Sequence, residues 1–518
     1  MRARGRQGRR RPSVPAVDDR AETSGEVARL VCEATVASLH EALASGRVSC
    51  EAIVAACFDR IEAYDRRGPS LGAILTVNPR ALDEARGWDR RLGTDDVLPS
   101  LYGIPLILKD NFDTADLPTT GGARALAGVV PAADAFVVSR LRAAGAIVLA
   151  KANMTELAYG GSSVSSLGGQ TLNPYDLART PGGSSGGTGA AIAASFAVLG
   201  TGSDTGQSIR SPASACALVG VRPTRGLVSR CGIMPFSPTQ DEVGPITRTV
   251  EDAARMLDVM AGVDPGDSIT ARGAGQGPAS YLDGLRPDAL AGARLGLVTS
   301  LLGAGDVHAA VNGVVHGAAA RLAALGATVV PVDIPTLAAL TDGLSLMSLE
   351  FADAFDGYLA RLGARAPVKT LAELVATGLC HPSLLAGLAS DARVADGPGA
   401  AEHTRLLARR AALRQVLVEV LDTGRLDALL YPHQRRLTVR VGKEQVERNG
   451  VLSNGTGLPA VCFPGGFSLP SSGAPLGVPV GLELLGRDWS EPRLLALAYA
   501  WQQQSQPRRP PAATPPLG

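Results

Sequence analysis

Apolar positions recur with a helical period from Glu26 to Arg67, where VARLVCEATVASLHEAL runs to a break at Gly46 and SCEAIVAACFDRIEAYDR follows. Ser49, three residues before Ala52 and with Glu51 in the first turn, predicts an N-cap for the second of these segments. The short run AILTVN has a strand pattern and ALDEARGWDRRL a helical one. LYGIPLILKDNF then reads as a strand running into a loop, with Lys109 at the strand's end, before a helix (FVVSRLRAAG) and a further strand (AIVLAKANM). Beyond residue 290, ARLGLVTS and ATVVPVDI predict strands on either side of the helix VNGVVHGAAARLAALG. Helices fill Leu337 to Leu421, LDALLYP is strand-like, and the chain closes on two strands and a helix within GTGLPAVCFPGGFS and GVPVGLELLGRDWSEPRLLALAYAWQQ. Strands alternating with helices predict an α/β architecture around a buried sheet. No internal repeat and no linker divides the pattern.

Gly160 to Arg210 breaks this periodicity. It contains GGSSVSSLGGQTLNP and TPGGSSGGTGAAIAASFAVLGTGSDTGQSIRSP. A glycine–serine loop of this length inside a globular chain is functional or disordered, and the apolar segments on both sides argue for order.

Composition changes the picture in three places. With 45% hydrophobic but only 4% aromatic residues, the core has to be built from Ala, Val and Leu, which suits helices packed closely on a sheet. A formal net charge of +1 gives no long-range attraction to nucleic acid or to a membrane. Only four of the 50 basic residues are lysines, namely Lys109, Lys151, Lys369 and Lys443. Lysine, unlike arginine, loses its proton near neutral pH when buried. The basic start MRARGRQGRRRP has no apolar stretch behind it, so residues 1–25 read as a solvated Arg-rich arm rather than a signal peptide. Residues 505–518, rich in proline, read as a disordered tail. Seven cysteines without CxxC pairs read as buried thiols of a cytoplasmic protein, and nothing resembles a metal-ligand cluster.

Three chemistries compete for the glycine–serine region. A phosphate cradle needs GK[ST], yet no lysine lies between Lys151 and Lys369, and a dinucleotide fingerprint needs a hydrophobic strand where ARTP stands. Gly182-Gly183-Ser184-Ser185-Gly186 fits the G-x-S-x-G elbow, but NPYDLARTP is no strand and the six histidines offer no supporting context for a base. The third chemistry is a serine hydrolase whose base is a lysine.

For that third chemistry the motifs themselves speak. GGSSGGTGAA, the spacer IAASFAVL and GTGSDTGQSIRSPA resemble the amidase signature family, as do GIPLILKDNF, GAIVLAKANMTELA, LVGVRPTRGLVSR and GLPAVCFPGGF, in order along roughly Val27 to Gln504. The resemblance implies one large α/β/α domain over residues 26–504, a central mixed β-sheet covered by helices. It also implies a Ser–Ser–Lys triad in which Ser208 is the nucleophile, Ser184 the bridging serine and Lys109 the base. A cis peptide at Gly183–Ser184 is implied too, with backbone N–H groups of Thr205, Gly206, Gln207 and Ser208 forming an oxyanion hole. Asp204 and Arg210 are expected to support that loop, and Tyr159, Gly160 and Gln207 to face the substrate, with a packing role for Tyr159 equally open. Gln207 stands where the family has glycine or alanine. Its side chain is expected either to enter the pocket or to pack away from it. Lys151 is read as structural, Ser185 as hydrogen-bonding locally, Cys216 and Cys231 as small hydrophobes, and the histidines as without a role.

The chemistry agrees with the residue types. A serine hydroxyl needs a base within hydrogen-bond reach, and a lysine becomes one when burial disfavours its ammonium. The expected activity is hydrolysis of a carboxylic amide through a serine acyl-enzyme, with no cofactor, no nucleic acid and no membrane involved. The partner is a small-molecule amide, and a homodimer is compatible with the sequence. The alternatives are the glutaminase subunit of a glutamine-dependent amidotransferase, with partner subunits, and an inactive relative acting as a binding protein.

Overall fold

A computed structural model describes residues 23–92, 94, 97–394 and 400–518. The Arg-rich arm expected at residues 1–25 therefore lies almost wholly outside the described residues. Eleven strands form one sheet. In spatial order they are Ile74–Val77, Ile147–Ala152, Pro105–Lys109, Leu199–Asp204, Glu242–Thr247, Val219–Arg222, Ala460–Phe467, Pro479–Leu485, Ala428–Pro432, Arg294–Val298 and Thr328–Val332. Pro105–Lys109 pairs in parallel with both its neighbours, whereas Glu242–Thr247 pairs antiparallel with both of its own. The sheet is thus mixed, and surrounding helices cover it, as an α/β fold requires. Residues of the central strands are buried along their whole length; PLILK and IVLAKA read as largely apolar runs, whereas Leu199–Asp204 (LGTGSD) is buried with its polar side chains at the site.

Ser49 caps the helix Cys50–Ile61 as predicted, its side chain accepting from the N–H of Ala52 at 3.0 Å. The stretch read as one continuous helix before Gly46 is instead two, Ser24–Leu30 and Val36–Ala44. Thr35 makes the break by capping the second helix, and Arg248 Nη2 takes up the freed carbonyl of Ala34.

The proline-rich tail, expected to be disordered, lies against the body of the fold. Arg508 pairs with both carboxylate oxygens of Glu33 at 2.7 and 2.8 Å and donates to the Tyr175 hydroxyl and the Ala217 carbonyl. The buried Arg60 donates to the carbonyls of Thr514 and Pro515 at 2.9 and 3.0 Å. Prolines remove backbone donors and hold the chain extended, but they leave every carbonyl free to accept, and the buried Arg60 uses two of these acceptors. Composition alone could not show that an arginine was waiting.

A second apolar cluster sits outside the main core. Phe351, Phe355, Tyr358 and Leu359 of the helix Met347–Leu362 pack with Leu157, Met234 and Phe236. Phe236 and Phe351 stack with ring centroids 4.2 Å apart. Glu350 of the same helix accepts from Ser237, Thr239 and His403. This helix is thereby tied down over the loop that follows residue 230. Of the seven free cysteines, Cys231 is exposed and Cys32 half-buried, so the expectation of buried thiols holds for the other five. Among the described residues no helix is long and apolar enough to cross a membrane.

Candidate active site

Lys109 ends its strand, and its Nζ is wholly enclosed. The amine lies 2.8 Å from Ser184 Oγ, 2.8 Å from Ser203 Oγ and 3.3 Å from the Ser203 carbonyl. Burial pushes its pKa down to about 7, against the opposing pull of Asp204 and Asp241. A neutral lysine keeps two N–H bonds and one lone pair. With the Ser203 oxygens accepting, the lone pair is free for the proton of Ser184.

The Gly183–Ser184 peptide is cis. Ser163 holds the approach to it, donating to the Gly182 carbonyl at 2.8 Å and accepting from the Gly186 N–H at 2.9 Å. The helix Gly186–Ala193 follows directly and is buried throughout. Its second residue donates to the Asn153 carbonyl at 3.1 Å, so close that a Cβ on Gly187 would sit 2.1 Å from that oxygen. Only glycine lets helix and strand approach to this distance.

Ser208 lies in the bend between the strand Leu199–Asp204 and the helix Arg210–Ala215, and is 7% exposed. Its carbonyl accepts from the Ser185 N–H at 3.3 Å, which brings the two serine segments side by side. The bend has a pronounced polarity. The Thr205 carbonyl accepts from Gln240, the Gly206 carbonyl from Arg210 and Asn454, the Gln207 carbonyl from the Ser211 N–H at 2.7 Å, and the Ser208 carbonyl from Ser185. Among the described residues none of the four N–H groups at 205–208 has an acceptor in the protein. In a trans peptide the N–H of each residue points opposite the carbonyl of the residue before it; Arg222 holds the Asp204 carbonyl, so with the carbonyls of 205–207 also held by the protein, the N–H groups of 205–208 point the other way.

Buried charge holds this bend. Asp204 accepts from the Ile209 N–H at 3.1 Å, from Arg210 Nε at 3.1 Å and from Arg222 Nη1 at 3.0 Å. Burial alone would raise its pKa, but the two guanidinium groups hold it well below the usual carboxylate range. Arg210 continues to Glu483 Oε2 at 2.9 Å, and Glu483 accepts from Tyr431 at 3.0 Å and pairs with His433 Nδ1 at 2.5 Å. Asp204 and Arg210 are therefore in contact with the loop they were expected to support. His433, read as without a role, is a wholly buried member of the same network.

Other expectations fare unevenly. Lys151 donates to Phe112 O, Pro118 O and Thr119 Oγ1 at 2.7 to 2.9 Å, which is a structural position. Tyr159 packs its ring on Phe236 and Phe351 at 5.7 and 6.1 Å in the second apolar cluster. A cavity of about 450 Å³ opens beside Asn111, Ser203 and Thr205, walled by Ile233, Met234 and Phe236. Ala158 lines it and Tyr159 does not. Gly160 is exposed, and Gln207, 7% exposed, turns to Arg448.

Sequence reading missed one partner of the lysine, Ser203, and with it Asn111, which donates to Ser203 Oγ at 2.9 Å. A signal existed. Thr201 and Ser203 are two apart on a strand and so share a face, and Thr201 Oγ1 accepts from the Lys109 N–H at 3.0 Å. Ser203→Ala is expected to lower kcat/KM roughly 10-fold. It should also move the acid limb of the pH profile downward, because an acceptor that favours the ammonium is lost. An unchanged limb would make Ser203 mere packing.

Likenesses to known proteins bear directly on this geometry. The sequence model of the Amidase family matches residues 52–495. A glutamyl-tRNA(Gln) amidotransferase subunit from Moorella thermoacetica is 36% identical over 492 residues, covering 92% of this chain and 97% of that protein. The crystal structure of native peptide amidase from Stenotrophomonas maltophilia superposes with a TM-score of 0.84 at 35% identity, covering 93% and 99% of the two chains. The corresponding glutamyl-tRNA(Gln) amidotransferase subunit from Thermotoga maritima superposes with a TM-score of 0.69 at 28% identity, covering 91% and 94%. A match spread over nearly the whole chain, on a shared mixed sheet, has one meaning: this protein is an enzyme of the amidase signature family.

Proposed function

We propose that the protein hydrolyses a carboxylic amide through an acyl-enzyme on Ser208. The observation that carries this reading is the pairing of a buried Lys109 on Ser184 with a bend whose four N–H groups have no acceptor among the described residues. Ser208 Oγ attacks the amide carbon as Ser184 takes its proton and passes its own to neutral Lys109. The four N–H groups receive the carbonyl oxygen as it becomes an oxyanion, in a setting where each such donor is worth about 100- to 1,000-fold in rate. Ser184 then returns the proton to the departing nitrogen, the C–N bond breaks, and ammonia or an amine leaves. Water enters by the same relay and releases the carboxylic acid. An inactive binding protein would not need this constellation.

Two substrates fit the reading. A free-standing amidase is supported by the superposition on peptide amidase. An enzyme component that takes ammonia from glutamine for a partner is supported by the curated relatives, which carry the name of a glutamyl-tRNA(Gln) amidotransferase subunit, and these favour it over the first. Ammonia release from free glutamine that appears only with partner subunits would establish the second; turnover of simple amides by the chain alone would establish the first.

The pH dependence has a definite sign. The active lysine is the neutral one, so kcat/KM should rise with pH through about 7 and then level off. A rise centred near the value of an unperturbed lysine (about 10.4) would rule out Lys109 as the base.

A further inference from the structure

The glutamine before Ser208 leads to a site that the hydrolytic chemistry does not use. With its Oε1 facing the guanidinium, Gln207 accepts from Arg448 Nε at 2.7 Å and also from Nη1. Two glycines make room for this contact. A Cβ on Gly450 would lie 2.9 Å from Gln207 Cβ, and a Cβ on Gly161 would lie 2.6 Å from Arg448 Nη1. The same point above Gly161 is 3.8 Å from the carbonyl of Gly183, in the cis peptide that precedes Ser184. Arg448 is thus held in place beside both serine segments.

Arg448 has no acid of its own. Among the described residues no carboxylate forms an ion pair with it. Glu447 next to it is engaged by Arg436 and His308, and the exposed Glu444 acts on it only through space. Two of its five N–H bonds go to a neutral amide oxygen, which satisfies geometry but adds no opposite charge. Its side chain keeps contact with solvent, so an ion from outside can reach it. An arginine fork that is already oriented loses little freedom on binding and matches a planar carboxylate.

We propose that Arg448, anchored on Gln207, is a subsite for a carboxylate carried by the acyl part of the substrate, so that the enzyme prefers amides of dicarboxylic acids and other amides bearing an anion a few bonds from the scissile carbonyl. This rests on the reading of the site as an amide hydrolase. It gives Gln207 a purpose, since the glycine or alanine usual in the family would leave the guanidinium without its anchor.

The test compares the monoamides of succinic, glutaric and adipic acid with neutral amides of equal length. Wild-type enzyme should favour the best anionic member by about 10- to 100-fold in kcat/KM. In Arg448→Met that ratio should fall to near one, and in Arg448→Glu it should turn in favour of an ω-ammonium amide. An equal ratio in wild type and Arg448→Met overturns the proposal. A binding measurement independent of turnover separates this from failure of the hydrolase reading. Calorimetry with glutarate should show binding to Ser208→Ala that is lost in Ser208→Ala/Arg448→Met. If glutarate binds both equally or neither, the subsite is refuted whatever the enzyme's activity. If it binds as expected but no amide turns over, the subsite stands and the hydrolase reading falls.

Discussion

Ser208→Ala is expected to lower amide turnover on the order of 10⁵- to 10⁶-fold and to abolish labelling by a fluorophosphonate, which the parent enzyme should take up at this residue alone. The size follows from how such units behave: removal of the nucleophile costs about as much as removal of the whole catalytic group, leaving only what binding and oxyanion donors supply. The variant should remain folded. Ser208 Oγ makes no hydrogen bond within the protein among the described residues, and only its backbone carbonyl is engaged, by Ser185. Circular dichroism and an unchanged denaturation midpoint would show that the loss is chemical. Turnover within 100-fold of the parent would instead move the nucleophile elsewhere, with Ser184 the first candidate by position.

Arg210→Met should act through the fold as well as the chemistry. It would leave Asp204 and Glu483 buried without the cation that lies between them, at 3.1 and 2.9 Å respectively. Breaking a buried ion pair from one side costs about 3–5 kcal/mol, because a charge is left in a medium that cannot solvate it. Denaturant unfolding at pH 7 should therefore show a midpoint well below that of the parent. The pH dependence has a sign that can be checked. Burial would raise both carboxyl groups, but Arg210 and its neighbours hold both below their ordinary values. Their contribution is present above the unfolded values of about 4 and is lost as pH falls through the lower folded ones. The gap between parent and variant should thus narrow below pH 4. A gap that is absent at pH 7 would mean the network is incidental to stability. Because Arg210 also holds the Gly206 carbonyl, the folded fraction of the variant should lose activity too.

Much of the fold was legible. The strand ending at Lys109, the cap at Ser49, the strand at Ala428–Pro432 and the closing helix Glu491–Ser505 all stand where apolar period and turn chemistry put them. What failed did so for identifiable reasons. The helix before Gly46 was read through a break that Thr35 and a distant arginine enforce, and the tail was read as free because its partners, Arg60 for its carbonyls and Glu33 for its own Arg508, lie near the other end of the chain. Local pattern reports local preference, whereas these contacts join residues hundreds of positions apart.

For the site, the motif order offered Lys109, Ser184 and Ser208 as candidates, and residue chemistry gave the reason a buried lysine would suit the role of base. The protonation of that lysine depends on its complete burial, which no spacing records. The direction in which four N–H groups point depends on donors to the preceding carbonyls from Arg222, Gln240, Asn454 and Ser211, drawn from separate parts of the chain. Gln207 shows the division most clearly. Sequence alone determined that it is out of place for its family and left its side chain either in the pocket or away from it. Only the tertiary structure decided that it meets Arg448, because that contact needs the missing side chains of Gly161 and Gly450, one before and one far beyond it in the chain, to be brought to the same few ångströms. Periodicity and motif fix elements and candidates within a segment; charge, orientation and specificity come from what folding packs against them.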